Sequence, residues 1–205
     1  MNTSNGIVYA LDDEPEMVKA LTRLLRAKRF EARGFTSVRA FLEAYSPESN
    51  ACLMLDVAMP ELDGLELQQH LTHQGILIPI IFVTGHGDIP TSVRAIKAGA
   101  TDFLTKPVDG AALVQAVRAA LQVAEARHRE AAEIAALEAR LASLTPRQLE
   151  VMKHVISGQL NKQIAFDLGT GEQNIKLHRA QAMKKMGVDS LADLVRVAER
   201  LGIGK

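Results

Sequence analysis

The chain of 205 residues has no run of roughly 18 apolar residues that could span a bilayer, and its first six residues lack the pattern of a secretion signal, so we expect a cytoplasmic protein with no membrane partner. Its only cysteine, Cys52, cannot form an internal disulfide, and its apolar neighbours predict a buried hydrophobe rather than a redox group. The charges are uneven, with 10 basic and 13 acidic residues in 1–108 but 10 basic and 6 acidic residues in 144–205, which suits a metal or phosphate site followed by a polyanion-binding region.

The first 108 residues alternate short apolar runs with amphipathic segments, which is typical of a parallel β-sheet covered by helices. The predicted strands are residues 7–11, 30–35, 52–55, 80–83 and 103–104. The predicted helices are residues 15–27, 38–45, 64–74 and 91–98. This order predicts an α/β fold with a five-stranded parallel sheet, whose functional crevice lies beyond the carboxyl ends of the strands.

Polar side chains follow four of these strands. Asp12 and Asp13 come after the first strand, Asp56 after the third, Thr84 after the fourth and Lys106 just after the fifth. Each residue alone has an ordinary explanation, since an Asp after a strand often caps a turn, a lysine is usually solvated and a threonine suits a strand. Their joint placement at one edge of the sheet predicts a shared pocket.

Three carboxylates in one pocket repel each other and need a cation. Mg²⁺ is the natural candidate, because it prefers oxygen ligands and pairs readily with phosphate oxygens. We expect Asp13 and Asp56 to ligate the metal, Asp12 to hold a metal-bound water, and the backbone carbonyl of Ala58 to contribute another oxygen. Asp56 would then attack a phosphoryl donor to form an acyl phosphate.

Two further residues complete the predicted chemistry. Lys106 would offset charge on the transferred oxygens, and Thr84 would donate its hydroxyl to the product. A phosphatase of the haloacid-dehalogenase type also uses an aspartyl nucleophile with Mg²⁺. It needs a second aspartate two residues after the nucleophile, however, and Asp56-Val57-Ala58 does not supply one.

Five motifs stand at the predicted crevice: Asp12-Asp13, Asp56, residues 59–64, Thr84-Gly85 and Lys106-Pro107. Together they resemble the signature of CheY-type receiver domains over residues 6–122. The resemblance implies a flavodoxin-like (βα)5 fold and phosphorylation of Asp56 by a partner sensor histidine kinase. It also implies a switch in which Thr84 and Phe103 rearrange, and a Lys106-Pro107 bond that is often cis in that family.

From Asp109 to about Ala142 the sequence is rich in Ala, Glu, Arg and Leu, which predicts one long helix. Apolar residues keep a heptad-like spacing in two groups: Leu113, Val117, Ala120 and Ala124, then Ile134, Leu137, Leu141 and Leu144. Arg127 and a phase shift interrupt the seam. A weak coiled coil and a plain linker are therefore both open interpretations.

The region after this helix contains no convincing strand and predicts four helices, at residues 146–157, 162–168, 172–186 and 191–201. Thr145 is expected to cap the first of them, with Pro146 at its first position. Gly158, Gly169 and Gly187 mark the helix boundaries. A short helix, a tight turn and a longer helix that carries Lys and Arg are typical of a helix-turn-helix.

Five motifs in this region lie at residues 144–147, 158, 161–165, 168–169 and 175–179. They resemble the LuxR/FixJ-type effector domain over about residues 142–203, and with the receiver motifs and residues 85–90 they resemble the FixJ branch of two-component regulators. The resemblance implies that helix 172–186, the recognition helix, enters the major groove of DNA. The expected DNA contacts are Lys162, Gln173, Asn174, Lys176, Leu177, His178, Arg179, Ala180 and Lys184. Four residues, Lys162, His178, Lys184 and Lys185, are interpreted as phosphate contacts or solvated charges.

The sequence departs from the effector family near the start of the recognition helix. Family members usually have an apolar residue and then Ser or Thr before this helix, whereas this chain has Thr170-Gly171, and Gly171 is a poorer cap. Gln173-Asn174 replaces a more typical Arg or Lys and Thr. We therefore expect a DNA sequence preference that differs from that of relatives.

These observations predict a receiver at residues 1–122, a helical linker at 123–142 and a helix-turn-helix domain at 143–205. As a two-component response regulator, the protein would dimerise on phosphorylation through residues 89–98, Phe103 and the helix start at Asp109, with residues 191–201 as the effector contact. It would bind promoter DNA, with RNA polymerase as a further partner, and have no enzymatic activity beyond self-phosphotransfer and autodephosphorylation. The alternatives are an adaptor whose helical domain binds protein or RNA, and a phosphorylation-independent regulator.

Overall fold

The computed structural model describes residues 6–47, 49–60, 63–85 and 89–203, without the side chains of residues 89–91. The chain divides into two compact units between His128 and Arg129. Parts of the motifs at 59–64 and 85–90, namely residues 61–62 and 86–88, lie outside the described residues, as do residues 1–5 and 204–205 at the ends of the predicted domains.

The first unit is an α/β domain. Its strands are β1 (Ile7–Leu11), β2 (Glu31–Phe35), β3 (Ala51–Asp56), β4 (Ile80–Thr84) and β5 (Asp102–Thr105). Its helices are α1 (Pro15–Ala27), α2 (Val38–Ala44), α3 (Gly64–His73), α4 (Ile89–Lys97) and the first part of α5 (Gly110–Ala142). The strands form a parallel sheet in the order β2-β1-β3-β4-β5. This topology confirms the predicted flavodoxin-like fold.

The sheet is covered on both faces because its strands alternate apolar side chains between two layers. Val8 of β1 packs with α1 and α5 residues such as Leu25 and Leu113, whereas Tyr9 packs on the opposite face with Phe41 of α2 and with residues of α3. β3 and β4 are buried along their whole length. Their polar carboxyl ends are therefore the places where a site can form.

Cys52 is confirmed as a buried apolar residue. Its side chain is fully buried in the layer beneath α1 and α5. Burial raises the pKa of the Cys52 thiol to about 12, so that the thiol stays protonated at neutral pH. A protonated, inaccessible thiol is a poor nucleophile.

Helix α5 begins at a capping aspartate and contributes to both units. The Asp109 Oδ1 accepts hydrogen bonds from the backbone N–H of Ala111 at 2.9 Å and of Ala112 at 2.8 Å, and these bonds lower the pKa of the Asp109 carboxyl. Five of the eight predicted heptad positions pack on the chain's own cores: Leu113, Val117 and Ala120 are buried in the first unit, and Leu141 and Leu144 are partly buried in the second. Much of the apolar seam therefore already has partners within the chain, which favours the plain-linker interpretation.

The second unit is helical. It contains the last part of α5 and helices α6 (Pro146–Ile156), α7 (Asn161–Asp167), α8 (Glu172–Met186) and α9 (Leu191–Arg200), around a core that includes Val151, Ile164 and Ile175. Thr145 caps α6 as predicted, in a reciprocal box with Gln148. Gly158, Gly169 and Gly187 have φ of 85°, 59° and 70°, the left-handed conformation expected at helix ends.

The boundary between the compact units falls inside the predicted linker of residues 123–142. The His128 Nε2 donates a hydrogen bond to the Pro47 carbonyl in the first unit at 2.8 Å. Glu133 pairs with Arg200 of α9 in the second unit at 2.9 Å. The domain limits 1–122, 123–142 and 143–205 stay predictions. Within the described ranges, no helix is both long and apolar enough to cross a bilayer.

Candidate phosphoryl-transfer site and nucleic-acid interface

The first candidate site lies where β1, β3 and β5 end. Asp12 follows β1, Asp56 is the last residue of β3, and Lys106 follows β5. The Lys106 ammonium donates hydrogen bonds to the Asp12 Oδ2 at 2.8 Å and to the Asp56 Oδ1 at 2.7 Å. Side chains 50 and 94 residues away from Lys106 in the chain are thus brought to one point.

The two carboxylates are held by their own loops as well as by the lysine. Asp56 Oδ2 accepts a hydrogen bond from the Ala58 N–H at 2.8 Å, and Asp12 Oδ1 accepts one from the Glu14 N–H at 2.9 Å. Both aspartates are buried, at 1% exposure for Asp12 and 5% for Asp56. Each carboxylate therefore has a fixed orientation before any ligand arrives.

Burial sets the protonation behaviour of this cluster. Burial raises the pKa of Asp56, and the Asp12 charge raises it further, against the opposing hydrogen bond and charge of Lys106. Burial alone would lower the pKa of Lys106, but the hydrogen bonds and charges of Asp12 and Asp56 outweigh burial and raise it. Lys106 is therefore a firmly charged counter-ion between two carboxylates.

The remaining predicted residues lie at the same edge with different exposure. Thr84 is 3% exposed at the end of β4, and its backbone carbonyl accepts a hydrogen bond from the Lys106 N–H at 2.7 Å. Phe103 of β5 is half-buried against the apolar layer beneath α2 and α3. The Lys106-Pro107 bond is cis, as the family resemblance implied. Asp13, in contrast, is exposed.

The residues present fit a hard divalent cation in their chemistry. Asp12 and Asp56 already direct one oxygen each at a single cation, the Lys106 ammonium, and the predicted donors are all carboxylate or carbonyl oxygens, which Mg²⁺ prefers. Among the described side chains, no three His, Cys, Asp or Glu residues are grouped so that they could hold a metal ion. The expected role of Asp13 as a ligand therefore stays a prediction.

Gly64 is a residue of this site that the sequence interpretation did not assign a role. The start of α3 passes so close to β3 that a Cβ at residue 64 would collide with the Asp56 carbonyl oxygen and lie 3.2 Å from the Val57 Cα. The Gly64 N–H also donates to the Val57 carbonyl at 2.9 Å. The Asp63-Gly64 pair at the start of the predicted helix was the sequence signal, because Asp63 caps α3 and a Cβ does not fit at residue 64.

The second candidate site is the exposed side of α8. Six of the predicted DNA contacts are exposed: Gln173, Asn174, Lys176, Leu177, Ala180 and Lys184. Leu177 is 54% exposed in the middle of the helix. Lys162 on α7 is exposed as well. An exposed face with lysines and one apolar side chain can contact both phosphates and thymine methyl groups.

Several of the predicted contacts also have partners within the protein. Lys176 pairs with Glu172 at 3.2 Å, and Arg179 donates to the Asn161 Oδ1 at 3.2 Å. His178 is half-buried, and its buried Nδ1 has no partner among the described atoms. Lys185 is exposed as well, but its ammonium donates to backbone and side-chain oxygens of the same unit. Its interpretation as a phosphate contact or solvated charge stays a prediction.

Phe166 of α7 is an exposed residue that the sequence interpretation missed. Its side chain is 88% exposed, on the same side of α7 as Lys162, which lies one turn earlier. An aromatic residue between the buried Ala165 and the polar Asp167 was the signal. Such exposure of a large apolar side chain marks a candidate contact surface.

The recognition helix begins at Gly171 without a side-chain cap, as predicted. Gly171 has φ −79° and ψ 147°, a conformation that any residue adopts, and an added Cβ meets no described atom within 4 Å. We expect Gly171→Ser to raise the free energy of unfolding by about 0.5–1 kcal/mol, through a cap and a less flexible unfolded chain. Urea unfolding measures this change in the free energy of unfolding. Gly171→Ala is the control, since it also makes the unfolded chain less flexible but provides no side-chain cap. A Ser variant no more stable than the Ala variant would contradict the capping account.

Comparison with known families follows the division into two units. A family model described as the response regulator receiver domain matches residues 8–118. A second family model, described as bacterial regulatory proteins of the luxR family, matches residues 142–198. The two matches cover the parallel-sheet unit and the helical unit respectively.

Several relatives match nearly the whole chain rather than one unit. The response regulator protein TmoT of Ectopseudomonas mendocina is 45% identical over 98% of this chain and 91% of its own length, and the transcriptional regulatory protein FixJ of Bradyrhizobium diazoefficiens is 39% identical over 98% of each chain. The solved structure of the response regulator StyR matches with a TM-score of 0.81 and 42% identity over 96% of this chain and 99% of its own length. Full-length FixJ from B. japonicum matches with a TM-score of 0.57 and 38% identity over 98% of each chain. The chain therefore belongs to the two-component response regulators that combine a receiver domain with a LuxR-type DNA-binding domain.

Proposed function

We propose that Asp56 accepts a phosphoryl group from a phosphohistidine of a sensor histidine kinase. The observation that carries this proposal is the convergence of Asp12, Asp56 and Lys106 at the end of the sheet. An Asp56 oxygen attacks the phosphorus, the P–N bond to the imidazole breaks, and the imidazole keeps the electron pair and takes up a proton. The product is an acyl phosphate on Asp56.

The neighbouring residues prepare Asp56 for this attack. Lys106 holds the Asp56 Oδ1 and, after transfer, donates to the new phosphoryl oxygens. The Thr84 hydroxyl donates to the same group, from the adjacent strand end. Asp13, Asp56, the Ala58 carbonyl and a water on Asp12 would hold Mg²⁺, which would supply positive charge to the phosphoryl group during transfer.

We propose that phosphorylation promotes dimerisation. The new charge of about −1.5 to −2 at Asp56 biases the receiver toward the arrangement in which Thr84 and Phe103 have moved. The face that changes is made of α4, Phe103 and the start of α5. Exposed apolar residues support this face as an interface, because Val93 and Ile96 of α4 are 44% and 48% exposed. In the second unit, α9 is the proposed contact between effector domains, and its Leu191 is 40% exposed.

The dimer would present two copies of α8 to adjacent half-sites of promoter DNA. The exposed Lys176, Leu177 and Lys184 support this role, because they can contact phosphates and base edges from one helix. RNA polymerase is the further partner that we propose for the DNA-bound protein, with Phe166 as an available apolar contact. Transcription in vitro that does not change on addition of the protein would contradict this last partner.

The experiment that tests the proposed function lets the protein select duplexes from a random DNA library under two conditions. One contains acetyl phosphate and Mg²⁺, which permit phosphorylation, and the other contains EDTA, which removes the metal. We expect an enriched sequence, tighter binding with the phosphodonor, and an affinity whose logarithm falls as the logarithm of the salt concentration rises. Binding that is equal in both conditions would indicate a phosphorylation-independent regulator. No salt-sensitive binding to duplex DNA would favour the adaptor.

A further inference from the structure

Lys184 and Lys185 are adjacent at the end of the recognition helix, but they differ in the hydrogen bonds that their ammonium groups form. Both lysines are exposed, but the Lys184 ammonium has no hydrogen bond or ion pair within the described part of the chain, so it is free to meet a phosphate. Lys185 donates one hydrogen bond to the Ser143 carbonyl at 2.7 Å and another to the Gln148 Oε1 at 2.9 Å. Its ammonium therefore joins three segments of the second unit.

The acceptor side chain, Gln148, is itself fixed. It is 5% exposed, and its Oε1 also accepts from the Thr145 N–H at 3.0 Å. Its Nε2 donates to the Gln181 Oε1 on α8 at 3.0 Å. Lys185 and Gln181, one turn apart on α8, are thus both tied to one buried amide at the start of α6.

A residue of α5, Arg140, also forms a hydrogen bond with the C-terminal end of α8. The Arg140 Nη1 donates to the Met186 carbonyl at 3.1 Å, which satisfies a backbone oxygen left open at the helix end and places a positive charge at the negative end of the helix dipole. Arg140 also lies directly over Gly187, where an added Cβ would be 2.6 Å from its Nη1. The C-terminal end of α8 is therefore held by hydrogen bonds to α5, to Ser143 and to α6.

We propose that Lys185 is a positioning residue for DNA recognition rather than a DNA contact. Through Ser143 and Gln148 it fixes the orientation in which α8 presents its exposed face to base edges. This inference rests on the proposed DNA binding. It assigns different roles to two adjacent lysines that sequence alone cannot distinguish.

The two roles predict different dependences of affinity on salt and on DNA sequence. The logarithm of the affinity falls as the logarithm of the salt concentration rises, and loss of one phosphate contact makes this slope less steep by about 0.9. It also weakens binding to all duplexes equally. Loss of a positioning contact leaves the slope unchanged but misplaces the base contacts, so binding to the specific duplex weakens more than binding to a scrambled one. The ratio of the two affinities then falls by about tenfold, the value of roughly one base contact.

The experiment uses the full chain, the duplex that the wild type selects from a random library, and a scrambled duplex of equal length, titrated over a salt series. We expect Lys185→Met to lower the affinity ratio about tenfold with an unchanged slope. Lys184→Met should make the slope less steep by about 0.9 with an unchanged ratio. Arg140 is exposed, and Arg140→Met removes its hydrogen bond to the Met186 carbonyl. This variant should also lower the affinity ratio with an unchanged slope, as Lys185→Met does. Thermal unfolding confirms that each variant is folded.

Two results for Lys185→Met would contradict this inference but leave the proposed DNA binding intact. One is a less steep slope with an unchanged affinity ratio, and the other is no change in either quantity. Gln148→Met provides a second test. If Lys185 acts through Gln148, the double variant loses no more of the affinity ratio than the larger of the two single losses, and additive losses would contradict the pairing. A wild-type protein that does not bind duplex DNA would instead refute the proposed function, and the inference with it.

Discussion

Replacing Asp56 by Asn abolishes phosphodonor-dependent dimerisation and the gain in DNA binding that accompanies it. An amide cannot form the acyl phosphate, whereas its oxygen can still accept a hydrogen bond from the Lys106 ammonium, which also keeps Asp12 as a partner at 2.8 Å. The receiver should therefore stay folded. Light scattering with acetyl phosphate and Mg²⁺ measures the dimer, and circular dichroism measures the fold.

Asp63→Asn is the matched control for this variant. Asp63 is an exposed aspartate near the same site, and it caps α3 through a hydrogen bond from the Leu65 N–H at 2.9 Å, which an asparagine also accepts. This control should dimerise as the wild type does. If Asp56→Asn dimerised normally on addition of the phosphodonor, phosphorylation of Asp56 would not be the signal.

Gly64→Ala should destabilise the receiver by about 1–3 kcal/mol, the usual result of forcing an extra methyl group into a packed site. The added Cβ would collide with the Asp56 carbonyl oxygen, and it would lie 3.1 Å from the Phe82 ring. Relief requires movement of α3 or of the end of β3, and the latter carries Asp56. We therefore also expect slower phosphorylation by acetyl phosphate. Urea unfolding and the rate of phosphorylation measure the two effects.

Gly85→Ala is the stability control for this prediction, since a Cβ at residue 85 meets no described atom within 4 Å. Its free energy of unfolding should change much less than that of Gly64→Ala. Equal stability losses in both variants would mean that the α3–β3 contact is not the cause. Wild-type stability in Gly64→Ala would show that the two elements separate at little cost.

The convergence at the sheet edge could be predicted from the sequence because parallel strands end on one side. Polar residues that directly follow apolar runs, such as Asp12 and Asp56, must then meet there. The detailed arrangement could not be predicted in this way. Lys106 lies between those two carboxylates, and Asp13 is exposed, because the loop after β1 turns adjacent side chains to different environments.

The helical unit shows the same limit. Helix ends followed from glycines and from the Thr145 cap, which are local signals. The role of Lys185 depends on Ser143 and Gln148, which are 42 and 37 residues away and carry no periodic pattern. The heptad spacing in α5 was similarly ambiguous. Apolar residues that pack on the chain's own cores have the same spacing in the sequence as apolar residues that pack on a second helix.

The central claim is that Asp56 is the phosphoryl acceptor, and peptide mapping by mass spectrometry tests it most directly. The full chain is incubated with acetyl phosphate and Mg²⁺ and then digested under conditions that preserve acyl phosphates. We predict the added mass of one phosphoryl group on the peptide that contains Asp56, and none when EDTA is present or when Asp56 is replaced by Asn. A phosphoryl group on another residue, or none at all in the wild type, would contradict the account.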